Sequence, residues 1–189
     1  ARWENDRISD KGVNADKHYW LDQLGEDISI LDLPTDTARP AVQSFSGAAM
    51  PVNLPHDVSS AIRELARESK ASLFAVCTSI VKILLHRYTG SEDILVGAPV
   101  AGRNHPDLGG QVGFFVNMLA LRDPMVGTDS VADVLHQVKS TIEAALDHNA
   151  YPFDLLVEEL DLDRDMGRNP LFDVVVSYLD APTGKAQIP

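Results

Sequence analysis

The 189-residue sequence holds one cysteine, six histidines of which no two are adjacent, and only 16 Lys and Arg against 28 Asp and Glu. The net charge of −12 repels phosphate backbones, and no basic cluster accompanies an aromatic platform, so a nucleic-acid partner has no support. An anionic membrane surface is disfavoured for the same reason. No stretch approaches the ~20 apolar residues of a membrane span, and no basic-then-apolar leader opens the sequence, so a cytoplasmic location is the default. The lone thiol, Cys77, lies among Phe74, Val76 and Ile80 and reads as a small core residue. There is no His-Glu-x-x-His, no Cys pair and no calcium-loop spacing, which removes the usual metal sites. His136 and His148 flank one predicted helix but sit roughly 120° apart around it, so they share no ligand from that helix alone. Gly109, Gly110 and Gly113 lack the Gly-Lys-Ser/Thr ending of a phosphate loop, and no Gly-x-Ser-x-Gly elbow exists.

What is present is an ordinary globular composition: 44% hydrophobic residues, 20.6 kDa and a mean hydropathy of −0.08, enough for one domain with a core. The ends, from Ala1-Arg2-Trp3 without a methionine to a Pro/Gly-containing tail, read as cut from something longer. The expected organisation is a polar lead-in over residues 1–15, a folded unit over 16–180 and a tail over 181–189. Asp16 is expected to cap a short helix carrying Tyr19, Trp20 and Leu24, closed by Gly25. Residues 33–40 read as extended chain, because each proline pushes its predecessor out of the helical region. Residues 45–54 read as a strand ended by Pro55. Asp57 is expected to cap a helix to Ser69 with Ile62, Leu65 and Ala66 inward, and Ser72 a deeply buried one to Tyr88. Strands follow at residues 93–99 and 114–121, the second central, separated by a loop over 100–113. Asp129 or Ser130 opens the clearest helix, with Val131, Val134, Leu135, Val138, Ile142, Ala145 and Leu146 at helical spacing. A short helix from Pro152 and a β-branched strand over 171–178 complete the pattern. Interleaved helices and strands predict an α/β layered fold with a mixed sheet.

Three segments in fixed order stand out: Val112-Gly113-Phe114-Phe115-Val116-Asn117 on to Arg122, then His148 through Tyr151-Pro152-Phe153-Asp154, then Arg164-Asp165 through Gly167-Arg168 and Pro170-Leu171-Phe172. Together they resemble the last three signature motifs of the condensation domains of nonribosomal peptide synthetases. The resemblance covers roughly residues 18–178. It implies a chloramphenicol acetyltransferase-like half-domain, the C-terminal half of a V-shaped domain whose halves enclose a tunnel. In that family a His-His-three residues-Asp-Gly motif of the first half handles the reacting amine, and this sequence has no His-His pair. The implied partners are the N-terminal half, donor and acceptor peptidyl carrier proteins and the adjacent adenylation domain. No cofactor is expected to bind directly; the substrates ride on the phosphopantetheine of the carriers.

The same resemblance assigns tunnel or inter-half contacts to Arg103, Gly113, Asn117, Tyr151 and Phe153, and a structural turn to Arg164, Asp165, Arg168 and Pro170. Arg103, in a Gly-x-Pro-x-x-Gly-Arg stretch, would clamp the aspartate of the missing motif, a pairing suited to a planar guanidinium; the plain alternative is an exposed loop arginine. Asn117 is an amide in an apolar run, so it either ties down neighbouring backbone or faces the channel. Tyr151 and Phe153 form a rigid aromatic corner whose rings can equally serve core packing. Gly167 stands where the family has serine, and Asp165 is expected to pair with one of the arginines. Three functions remain open: a portion of a condensation domain inactive alone, a non-catalytic docking module for a carrier or tailoring enzyme, and part of an epimerisation or heterocyclisation domain. An isolated half should also carry an under-charged face that self-association or a partner covers.

Overall fold

The computed structural model describes residues 11–25, 28–103, 105–162 and 165–179. Among them are five α-helices and two strands, with a 3-10 turn at Pro106–Leu108: α1 (Lys11–Leu24), α2 (His56–Glu68), α3 (Leu73–Thr89), β1 (Asp93–Val100), β2 (Asn117–Pro124), α4 (Val131–Asp147) and α5 (Phe153–Glu159). The α/β reading holds. β1 and β2 form an antiparallel ladder with Asp93 opposite Pro124, Gly97 opposite Ala120 and Val100 opposite Asn117. α4 packs on β2, α3 on both α4 and β1, and α1 on α5. Their shared core has Val76, Ile94, Val96, Leu121, Val138 and Ala145 closed to solvent. Full burial of such aliphatic side chains stabilises the fold by about 1.5–3 kcal/mol each for the larger ones.

Local signals explain most boundaries. Ser72 Oγ accepts from the Ala75 N–H at the start of α3, and Gly90 ends that helix in the left-handed region. Ser130 and Asp133 form a reciprocal capping box at the start of α4. On α2, Ala66 is buried, Ile62 and Leu65 are half-buried, and Arg63, Glu64, Arg67 and Glu68 face water as expected. That helix starts after Pro55 without a side-chain cap, so Asp57 lies in its first turn rather than at the cap. α1 runs through Asp16, whose carboxylate accepts instead from His148 Nδ1 at 2.8 Å.

Four expectations are corrected. α3 is not apolar inside: its buried residues include Thr78, Ser79 and Lys82, whereas Ile80 and Leu84 are exposed. β2 starts at Asn117, because β1 ends opposite it at Val100; Phe114 therefore lies outside the ladder and is exposed. Of residues 171–178, only Val175 joins the sheet, bridging Gly97 in parallel, with N–H to O distances of 2.8 Å at Val174 and Val176. Asp173 is drawn away to Arg39 and Arg168. Residues 45–54 form no strand, since no described segment runs beside them, and Phe45, Met50, Val52 and Leu54 are exposed.

Candidate functional site

The first residue of β2 gathers the second motif. Asn117 Nδ2 donates to Asn149 O at 3.0 Å and to Tyr151 O at 2.8 Å, and its Oδ1 accepts from the Phe153 N–H at 3.0 Å. Both amide protons and the carbonyl are thereby engaged with the corner between α4 and α5. The arrangement matches the backbone-tethering alternative for this asparagine. Tyr151 is buried, and burial raises its phenol pKa above the ordinary value, opposed by Lys17 and reinforced by Glu159 and Glu158. The Phe153 ring meets the Phe172 ring at 5.4 Å, tilted by 40°.

Phe172 brings in the third motif and β1. A Cβ on Gly97 would fall 2.3 Å from Phe172 Cε2, so the ring lies flush on the strand where a side chain would otherwise stand. The three motifs therefore converge: Asn117 holds the 149–153 corner, Phe153 packs on Phe172, and Phe172 covers Gly97.

Arg103 shapes the loop between the strands. Its Nη1 donates to Leu108 O and, at 2.9 Å, to Gln111 O, while the guanidinium lies 4.3 Å from the Phe115 ring centroid. Cation–π attraction and two carbonyl acceptors draw residues 108–115 back onto Arg103. Gly102 permits this: its φ is +59°, and a Cβ there would come within 1.9 Å of Phe115 O. Gly113 lies under the edge of the same ring, where a Cβ would sit 3.0 Å from Phe115 Cε2.

In the last motif Arg168 is not the arginine that pairs with Asp165. Asp165 Oδ1 accepts from the Gly167 N–H at 2.8 Å, fixing its own turn. Arg168 instead meets Asp173 at 3.6 Å, and Arg39 reaches the same carboxylate at 3.3 Å. Gly167 is where the preceding extended segment docks: a Cβ there would lie 2.6 Å from Pro40 O, and Gln43 N–H donates to Met166 O at 3.0 Å. Pro170 and Arg168 line a cavity of about 240 Å³ with Ile28, Leu31 and Phe172. Arg164 lies outside the described residues.

Two features escaped the reading of motifs. Lys82 and Asp123, both shut off from solvent, form an ion pair that joins α3 to β2. His148 stacks on Tyr19 at 4.2 Å, and its carbonyl accepts from Trp20 Nε1 at 2.9 Å, so α1 is pinned to the end of α4. Lys82 was legible in one respect: it is the only charged residue between Lys70 and Arg87 other than His86. No group of His, Cys, Asp and Glu among the described residues is arranged to hold a metal, and no single described helix is long and apolar enough to cross a membrane.

The family model described as "Condensation domain" matches residues 1–187. The chain belongs to the condensation-domain family. Tyrocidine synthase 3 of Brevibacillus parabrevis is 39% identical over 181 residues, covering 96% of this chain and 3% of that protein. Gramicidin S synthase 2 of Brevibacillus brevis is 37% identical over 177 residues, covering 94% of this chain and 4% of that protein. The condensation-domain chain thus spans only a small part of these curated relatives. Among solved structures, a holo four-domain nonribosomal peptide synthetase bound to AMP and glycine superposes with a TM-score of 0.85 at 26% identity, covering 93% of this chain and 13% of that one. The X-domain from teicoplanin biosynthesis gives a TM-score of 0.82 at 24% identity, covering 92% and 40%, a likeness of fold. The layered α/β architecture is accordingly that of condensation domains, which have the chloramphenicol acetyltransferase-like fold.

Proposed function

We propose that this chain is the C-terminal portion of a nonribosomal peptide synthetase condensation domain and forms the acceptor-side wall and tunnel for amide-bond formation. In the reaction an aminoacyl amine attacks the carbonyl of an acyl or peptidyl thioester; the C–N bond forms, the C–S bond breaks, and the carrier thiol leaves with a proton. Both substrates are delivered on the phosphopantetheine arms of donor and acceptor carrier proteins, next to an adenylation domain. Proton transfer from the attacking amine, or its positioning, belongs to the His-His motif of the N-terminal half, since this sequence has no such pair.

In this reading the chain contributes shape and polar handles. Asn117 sets the Tyr151 and Phe153 corner along the wall, and Arg103 rigidifies the loop through which it clamps the aspartate of the other half. Gly113 keeps that loop thin. The turn built by Asp165, Arg168 and Pro170 supports the wall from behind. The observation that carries the reading is the meeting of all three motifs on one β-ladder through Asn117, Phe153, Phe172 and Gly97.

The test is amide formation between two loaded carrier proteins, measured with this chain alone and with the chain joined to its N-terminal half. Product is expected only in the second case. Turnover by the chain alone overturns the assignment.

A second reading, a non-catalytic docking module, draws on one likeness. An X-domain in complex with OxyB from teicoplanin biosynthesis shares the fold, with a TM-score of 0.84 at 23% identity. It predicts binding of a carrier or tailoring enzyme by the chain alone, with no amide product after the N-terminal half is joined.

A further inference from the structure

Residues 40–55 contain no Asp, Glu, Lys, Arg or His, in a sequence that is 23% charged. Every residue from 34 to 58 is exposed, with Met50 at 88% and Val52 at 73%. The segment is nevertheless held at both ends. Arg39 pairs with Asp173, Pro40 rests on Gly167, Gln43 N–H bonds to Met166 O, and α2 begins immediately after Pro55. Met50 precedes Pro51 and Leu54 precedes Pro55, so both are driven to extended backbone. Among the described residues, no backbone group of residues 47–54 has a hydrogen-bond partner. An uncharged segment anchored on either side, with prolines that favour extended backbone and with open amides, is a template for another strand, and free edges of this kind normally carry charges that block pairing.

We infer that residues 47–54 add as an edge strand to a β-sheet of the remaining part of the condensation domain. This inference rests on the proposed function and names the contact that joins the two portions. The occupant follows from length and chemistry: the chain covers 40% of a solved domain of this fold, so most of such a domain lies outside it, and the open amides call for a strand edge. Proline fixes which side pairs. Successive residues of a strand direct their amides to opposite edges, so Ala48, Met50, Val52 and Leu54 share one edge and Ala49, Pro51 and Asn53 the other. Pro51 has no N–H, so its edge stays unpaired, as edge-strand prolines do. The bonds are made through Ala48, Met50, Val52 and Leu54, while the Met50, Val52 and Leu54 side chains cover one face of the receiving sheet.

The experiment is residue-resolved amide exchange on the intact condensation domain, alongside V52P and N53P variants, with amide formation assayed in parallel. Amides of Ala48, Met50, Val52 and Leu54 are expected to exchange on the order of 100-fold more slowly than those of Ala49 and Asn53. V52P should abolish that protection and N53P should retain it, with the α3 and α4 core amides unchanged in both. Uniformly fast exchange over 47–54 in a domain that still forms amide bonds overturns the strand addition and leaves the proposed function standing. Alternating protection in a domain that makes no product supports the strand addition while the proposed function fails. Protection that disappears on dilution of a dimer assigns the edge to a second copy and overturns the inference.

Discussion

Lys82 donates to Asp123 from inside the core, with side-chain exposures of 0% and 1%, and its ammonium also reaches Leu121 O at 2.7 Å and Ile94 O at 3.3 Å. Asp123 in turn accepts from Thr141 Oγ1 at 2.6 Å. Three protons meet three acceptors, and the pair ties α3, β1, β2 and α4 at one point. Burial lowers the lysine pKa from its ordinary value, opposed by the Asp123 charge and hydrogen bond. Lys82→Met leaves a buried carboxylate without its counter-ion and should lower unfolding free energy by about 3–5 kcal/mol. A double-mutant cycle with Asp123→Asn, followed by urea denaturation, should give a combined loss well short of the sum. Additive losses would remove the pair from any joint role.

Asn117→Ala deprives two carbonyls and one N–H of their partner, with an expected cost of about 1–3 kcal/mol. Asn117→Asp keeps the acceptor for Phe153 but loses both donors, and it also sets a carboxylate against two carbonyl oxygens. It should be no milder than the alanine. Thermal unfolding ranks the two, and amide exchange at Phe153 reports whether the corner has loosened.

Gly97→Ala drives a methyl into the Phe172 ring, which is itself wedged against Phe153. Overpacking of this kind costs typically about 1–3 kcal/mol. Adding Phe172→Leu should recover part of the loss, since it removes the colliding ring edge; failure of the second change to help would mean that the strand, not the ring, resists the methyl.

The Asp133 carboxyl is held below its ordinary pKa, first by the Ser130 hydroxyl and then by the Ser130 N–H. A depressed folded-state pKa means that the stabilisation is present above the unfolded value and disappears as pH falls through the folded one. The N-terminus of α4 should therefore fray only in acid below the ordinary aspartate range. Asp133→Asn should flatten that part of the profile, read as helix content against pH.

Segments whose periodicity or caps are strong were legible without coordinates. α4 carries seven apolar residues at helical spacing and a Ser130 cap, and β1 is a short apolar run bounded by Gly90 and a loop. Residues 45–54 read as a strand yet pair with no described segment, because strand propensity specifies a backbone shape, not a neighbour to bond with. α3 was misread because its apolar residues encircle the helix, so the side facing the core was decided by the Lys82 partner on β2, 41 positions away. In the site, the motifs marked Asn117 correctly as an amide needing partners, yet only the fold shows that all of them are backbone groups of residues 149–153. Gly167, which stands where the family has serine, is what gives the Pro40 carbonyl room to approach.

Trp20 is 2% exposed, with its indole N–H committed to the carbonyl of His148 at the C-terminal end of α4. Its fluorescence is therefore a built-in gauge of whether the first helix is seated. With Trp3, which lies outside the described residues, changed to Phe, a blue emission shifting to red would register departure of that helix before the β-ladder melts.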